Sequence, residues 1–374
     1  SRLAFTLSIG ERAETSWDLR LDGLVGGSRA IVTCRLDGIT AALTDVPIDL
    51  DVKLESSETE AMLRQVLPYG SDRLAGRFGK GPGGASLRAI GRLGGSLSGL
   101  ASLRVAGLDL NYAGTMGMTP AGLALDGRSD VAGEVGRLLI VAGLGSRPGL
   151  DKSMVRGRAR VAARDGTVRI EAAQLEIDRT KVFGDVVLTA KAAEREIVGR
   201  FRASRASVVP MFALMLDGRA EAPVSGASPW PEAPFDFGAL EGVRGRVRIE
   251  ADRLEVVGGI GIDGAAVDLT LAPGKVDVVI SAGRALDGAV RAVAGLSRIP
   301  GGASLTAEVA LANASLERLT AVPSATSPVT GRASATMSFS GQALTPRGLI
   351  GSLKGRGSIE IGTAQLLRLA PEAV

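Results

Sequence analysis

Alternation of aliphatic and charged residues constrains this chain more than any other feature. In residues 245–252, Val247, Ile249 and Ala251 fall on one side and Arg246, Arg248, Glu250 and Asp252 on the other. Successive side chains of an extended strand point to opposite faces, so the run reads as a strand with one dry and one wet face. The same grammar returns in residues 168–171, 175–178, 267–271, 303–311 and 358–361. Turn formers punctuate the chain at Asp22-Gly23, Asp37-Gly38, Asp165-Gly166, Asp263-Gly264 and Pro273-Gly274. Asp-Gly between alternating runs predicts hairpins. An antiparallel meander is the simplest topology, because parallel neighbours need a long crossover each time.

Composition agrees with many short strands and tight turns. Glycine is abundant at 51 residues, aromatics make up only 3%, and the core must be built from Ala, Val, Leu and Ile. With 374 residues, either one elongated body or two packed units are expected. Three segments read as short helices that cap strand ends or cover a sheet face. Residues 58–67 follow the capping serines Ser56 and Ser57 and stop at Pro68. Residues 204–216 lead to Asp217-Gly218, and Thr345-Pro346 opens a third segment with proline in the first turn. Pro223, Pro229, Pro231 and Pro234 break regular structure, which sets an expected boundary between 1–227 and 228–374. Glycine-rich residues 78–99 read as a mobile or sharply turning loop. Trp17, in a strand-like run, is expected in the core, and Trp230 is expected to pack over a junction.

The chemistry-bearing inventory is thin. There is no histidine, which removes the commonest general base and metal ligand. The single cysteine, Cys34, excludes an internal disulfide and reads as a small buried residue. Asp49 with Asp51, and Glu194 with Glu196, are spaced as solvated surface pairs. Gly355-Arg356-Gly357 and Gly81-Pro82-Gly83-Gly84 read as turns, without a phosphate-loop consensus. Serine nucleophile elbows and Asp-rich calcium loops are missing from the sequence. The net charge of +4 is spread as arginines among carboxylates, with no basic stripe for nucleic acid. No enzyme, cofactor or metal is expected. No apolar run reaches the ~18 residues needed to span a bilayer. Ser1 in place of Met reads as the start of an excised or processed piece.

From Trp230 onward the order of features resembles the AsmA family. The lead-in Trp230-Pro231-Glu232-Ala233-Pro234-Phe235-Asp236-Phe237-Gly238-Ala239-Leu240 precedes the strand Gly245-Arg246-Val247-Arg248-Ile249-Glu250-Ala251. Runs at 267–271, 275–281 and 303–311 match the strand succession of that family. Residues 349–362 resemble its ending, with Gly362-Thr363-Ala364 where an Asp-Gly is usual. Phe183-Gly184-Asp185-Val186-Val187-Leu188 and 199–204 resemble a preceding repeat more loosely, and residues before about 150 carry little that matches. The resemblance implies a mainly β chain: a long twisted antiparallel sheet curled into a taco-like groove, with a few short α-helices. It implies a periplasmic segment of a Gram-negative envelope protein, tethered to the inner membrane through parts of the parent outside this chain. The expected function is binding or conducting phospholipid acyl chains between the inner and outer membranes, in support of outer-membrane homeostasis. The alternative is a scaffold that binds envelope partner proteins and no lipid.

The expected lipid-facing residues are Val247, Ile249, Val267, Leu269, Leu271, Leu305, Val309, Ile359 and Ile361. An open aliphatic face of this kind would suit acyl chains, which need only burial and dispersion. If a second layer closed it, the same residues would form an ordinary sealed core.

Overall fold

The computed structural model describes residues 4–13, 15–38, 45–66, 81–120, 122–141, 152–191, 194–208, 230, 232–235, 237–256, 261–319 and 329–366. The chain is mainly β, with a few short helices. Its contacts divide it into two compact units, Ser1–Arg179 with Phe183–Lys191, and Thr180–Val182 with Ala192–Val374. The boundary expected at residue 228 lies outside the described residues. The strands belong to a 20-stranded sheet, and among the described pairings none joins the first strand to the last.

The first unit is an antiparallel meander. Its strands are β1 (Ala4–Ala13), β2 (Ser16–Val25), β3 (Ser28–Leu36), β4 (Pro47–Ser56) and β5 (Gly83–Arg92). They continue with β6 (Leu97–Val105), β7 (Leu108–Thr119), β8 (Gly122–Glu134), β9 (Met154–Arg164) and β10 (Thr167–Ile177). Each pairs antiparallel with its successor. Helix α1 (Thr59–Val66) follows β4 and α2 (Val135–Val141) follows β8. Ser56 caps the approach to α1 by accepting from the Glu58 amide at 3.1 Å. Both helices lay their apolar sides on the same strand ends. Met62 and Leu63 of α1 and Ile140 of α2 pack with Val105 and Leu108 in one buried cluster.

β11 (Thr180–Lys191) has residues in both units. The second unit contains β12 (Glu194–Ala203), the two-residue β13 (Ala206–Ser207), β14 (Val243–Glu255), β15 (Gly261–Ala272) and β16 (Lys275–Ala285). It ends with β17 (Gly288–Ile299), β18 (Gly302–Ser315), β19 (Val329–Ala343) and β20 (Lys354–Leu366). β14 to β20 form a second antiparallel meander. The exception to the expected topology is β12, which runs parallel to β14, as does β13. A parallel return needs a long crossover, and the chain supplies one between Ser207 and Val243. Short helices α3 (Leu316–Leu319) and α4 (Pro346–Ser352) follow β18 and β19. The Thr345 hydroxyl caps α4 by accepting from the Gly348 amide at 3.1 Å.

Several local expectations are corrected. Asp22-Gly23 is not a turn: both residues pair within β2, opposite Ile31 and Ala30, and the chain reverses at Gly26-Gly27, both at positive φ. Asp263-Gly264 lies inside β15, where the register shifts and Gly264 has φ 61°, so its signal marks a β-bulge. Residues 83–99 of the supposed loop are the β5–β6 hairpin, because small residues such as Ala85 and Ala89 still alternate correctly in it. Ala206 and Ser207 are strand where a helix was expected, and residues 209–218 lie outside the described residues. Trp17 is half-buried rather than sealed, since its neighbour towards the edge is the exposed Glu11. Trp230 is also half-buried.

Candidate functional site

Strand register decides which residues can share a surface, because a shift of one residue moves a side chain to the other face. In the second unit, Val247 stands opposite Leu269, Leu269 opposite Val278, and Val278 opposite Ala294. One step along, Ile249, Val267, Ile280, Ala292, Val309 and Met337 are successive partners from β14 to β19. A third row contains Leu271, Val276, Leu296 and Leu305. Ile359 pairs with Ala335 and Ile361 with Ala333. The nine residues singled out from sequence therefore lie on one face of this unit.

Their exposure differs sharply. Leu305 is buried at 8% with Val276, Leu296, Phe237, Leu240 and Leu349, and Leu271 packs against that cluster. The Phe235 and Phe237 rings stack at 5.9 Å, and the Phe235 amide donates to the Leu344 carbonyl at 3.0 Å. Phe235 and Phe237 thus cover the ends of β16–β18, alongside α4. Val267 is sealed at 1% among Leu254, Ile262, Ala265 and Val290, with Ile249, Leu269 and Val309 packed against them. Val247 is half-buried. Ile359 and Ile361 lie at the β20 edge, 70% and 57% exposed.

The first unit carries an apolar face that the sequence reading left out. Leu21, Val32, Val52, Leu87, Ala101 and Tyr112 are successive register partners from β2 to β7. Beside them run Leu19, Cys34, Leu50 and Ala89. The described helices meet this face only at one end, through Met62, Leu63 and Ile140. Leu19, Leu21, Cys34, Leu50, Val52 and Leu87 are half-buried, with none of the described core clusters covering them. The signal was present in residues 48–54, where Ile48, Leu50, Val52 and Leu54 alternate with Asp49, Asp51 and Lys53.

Two details shape this surface. Gly114 and Gly127 pair directly, and a methyl group on Gly127 would run into the Gly114 backbone and the Tyr112 ring. Tyr112 therefore lies over bare backbone, and its hydroxyl donates to the Thr115 carbonyl at 2.6 Å. Burial pushes the Tyr112 hydroxyl pKa up. Burial likewise raises the pKa of the Cys34 thiol, with the Asp49 carboxylate adding to the effect.

The opposite faces carry cross-paired charges, together with exposed apolar residues such as Ile90, Leu100 and Val293. Arg35 meets its register partner Asp18 at 3.1 Å, and Arg248 meets Asp268 at 3.2 Å. Exposed pairs of this kind contribute little stability but keep that face wet. In the second unit this side holds a concavity of about 610 Å³ lined by Asp277, Thr306, Glu308, Ser338, Ser340, Lys354 and Arg356, among others. Ser340 and Lys354 are register partners there. Both are exposed, and no hydrogen bond joins them among the described residues, whereas an activated nucleophile needs its base in reach and a desolvated amine. No group of three metal-ligating side chains occurs among the described residues, and no described helix is long and apolar enough to cross a membrane. No family model, curated protein or solved structure matches this chain.

Proposed function

We propose that this chain handles lipid, holding phospholipid acyl chains along an apolar β-face as a segment of an AsmA-like protein of the Gram-negative envelope. The observation that carries the reading is the row from Leu21 to Tyr112, aliphatic or aromatic at every register step and only half-buried. A contiguous apolar row left partly open in this way is the kind of surface that binds lipid or a partner. Acyl chains suit it because they gain about 0.8 kcal/mol per buried CH₂ and demand no hydrogen-bond partner. The lining is mostly aliphatic, so it would discriminate weakly between chain types. In this reading the sheet curls into a groove, the chain sits in the periplasm, and its parent is tethered to the inner membrane. Catalysis has no part in it.

The scaffold reading keeps one specific support. Val267 and Leu305 are sealed, so part of the second unit's face is ordinary core. The deciding experiment is native mass spectrometry with lipid extraction on the chain purified from a Gram-negative envelope. Co-purifying phospholipid that exchanges with labelled phospholipid supports the groove. A lipid-free chain that takes up none leaves the scaffold as the better account.

A further inference from the structure

Two neighbouring hairpins of the first unit end in unusual tips. Residues 93–103 and 110–125 contain no charged side chain. The first stretch is the β5–β6 turn with most of β6, and the second is β7, the β7–β8 turn and the start of β8. The tips lie together at one end of the sheet. Leu97 pairs with Met116, and a methyl group on Gly117 would stand 3.7 Å from the Gly95 carbonyl oxygen. Three large apolar side chains are bare there. Met118 is 79% exposed, its register partner Leu123 is 56% exposed, and Leu93 in the first turn is 50% exposed. Other turns of this unit carry charge. An Arg29–Asp22 pair flanks Gly26-Gly27, Arg104 meets Asp109 at 2.9 Å across Ala106-Gly107, and Arg164 pairs with Asp165 at the β9–β10 turn.

We propose that these two tips are a membrane-docking edge, seated in a phospholipid bilayer at the boundary between headgroups and acyl chains. The depth fits. At about 3.3 Å per residue, Met118 and Leu123 lie within ~7 Å of their turn, and interfacial elements bury their apolar parts ~5–10 Å deep. The backbone fits as well. β5 to β8 are each paired on both sides, so none of them brings an open edge to lipid, which can satisfy no amide. Arg92 precedes Leu93, and its side chain is 67% exposed. Its long stem lets the guanidinium reach the phosphate layer while Leu93 sits deeper. A bilayer is favoured over a protein partner because uncharged surface wraps both faces of the hairpins. Met118 and Leu123 share the face of Tyr112, whereas the exposed Ile90 and Leu100 stand on the other. A partner docked on one face would leave the other bare. Helices α1 and α2 cover the opposite end of these strands and do not obstruct the tips. This edge goes beyond the acyl-binding row and is separable from it, since Leu87 lies mid-strand on β5.

The test is flotation of the purified 374-residue chain with phosphatidylcholine vesicles, which carry no net charge, and with vesicles that add phosphatidylglycerol. Wild type should float with both. Met118→Gln combined with Leu123→Asn, neutral changes at exposed positions, should keep the melting temperature and weaken vesicle binding about a hundredfold. Leu87→Asp, which perturbs the acyl-binding row, should float as wild type does. Should the double variant fail to fold, depth decides. Bimane on Met118→Cys in a Cys34→Ser background should be quenched by lipids brominated on their acyl chains, and bimane on Arg104→Cys, at the far end of β6, should not. A chain that floats with neither vesicle overturns the proposal, and self-association lost in the double variant would then assign the tips to a protein interface. Flotation that needs phosphatidylglycerol, or that is unchanged in the folded double variant, overturns it in favour of attachment elsewhere on the chain. So does loss of flotation in a folded Leu87→Asp variant, which moves the contact to the acyl-binding row.

Discussion

Replacing Leu87 by Asp tests the proposed lipid-handling role of the first unit's apolar row at its centre. Leu87 stands between its register partners Val52 and Ala101, with Ala85 and Ala89 on the same face of β5. Strands are spaced by ~4.8 Å, so an acyl chain crossing them lays about four CH₂ groups over each strand. A hydrated carboxylate at position 87 removes that contact, a loss of about 3 kcal/mol at 0.8 kcal/mol per CH₂. Since 1.4 kcal/mol is tenfold, lipid affinity should fall by about two orders of magnitude. Leu87 is half-buried, so the fold should lose only about 1–3 kcal/mol from a total of about 5–15 and survive. Ser98→Asp is the control, because Ser98 is exposed on the opposite face of β6. Uptake of fluorescent phospholipid from vesicles, read beside a thermal melt, gives both quantities. Equal uptake by wild type and a folded Leu87→Asp variant would refute the reasoning.

Other perturbations read the packing. Leu63→Ala should cost about 2–5 kcal/mol in denaturant unfolding, because Leu63 is fully buried where α1 meets the sheet. Gly127→Val should lower the melting temperature and shift Tyr112 fluorescence, since the added methyls meet the Tyr112 ring and the Gly114 backbone. Thr345→Ala should cost about 1 kcal/mol by leaving the Gly348 amide uncapped, with Thr345→Ser restoring most of it. Cys34 should alkylate more slowly in the folded chain than in the denatured chain at pH 8, and more slowly still with lipid bound. Its folded pKa is raised, so this thiol favours folding below the unfolded pKa of ~8.5. That contribution is lost as pH rises through the folded value, and an alkylation rate that is unchanged by denaturant would contradict it.

The sequence by itself determined the strand faces. Alternation in residues 245–252 specified β14 with its correct inward set, and Ser56 and Thr345 marked the starts of α1 and α4. These signals are local, since a side chain's face follows from parity and a cap from one hydroxyl reaching one amide. Asp22-Gly23 and Asp263-Gly264 misled because a local turn preference cannot say whether a neighbouring strand already pairs with those residues.

What only the tertiary structure decided was how deeply each apolar residue is covered. Val267 and Ile359 read alike in sequence, yet one is sealed beneath a cluster and the other stands 70% exposed on the β20 edge. Exposure depends on which segments return over the sheet and on which strand lies outermost. Alternation carries neither fact, because it records only which side of its own strand a residue faces. The parallel return of β12 beside β14 and the half-buried row from Leu21 to Tyr112 are products of long-range pairing.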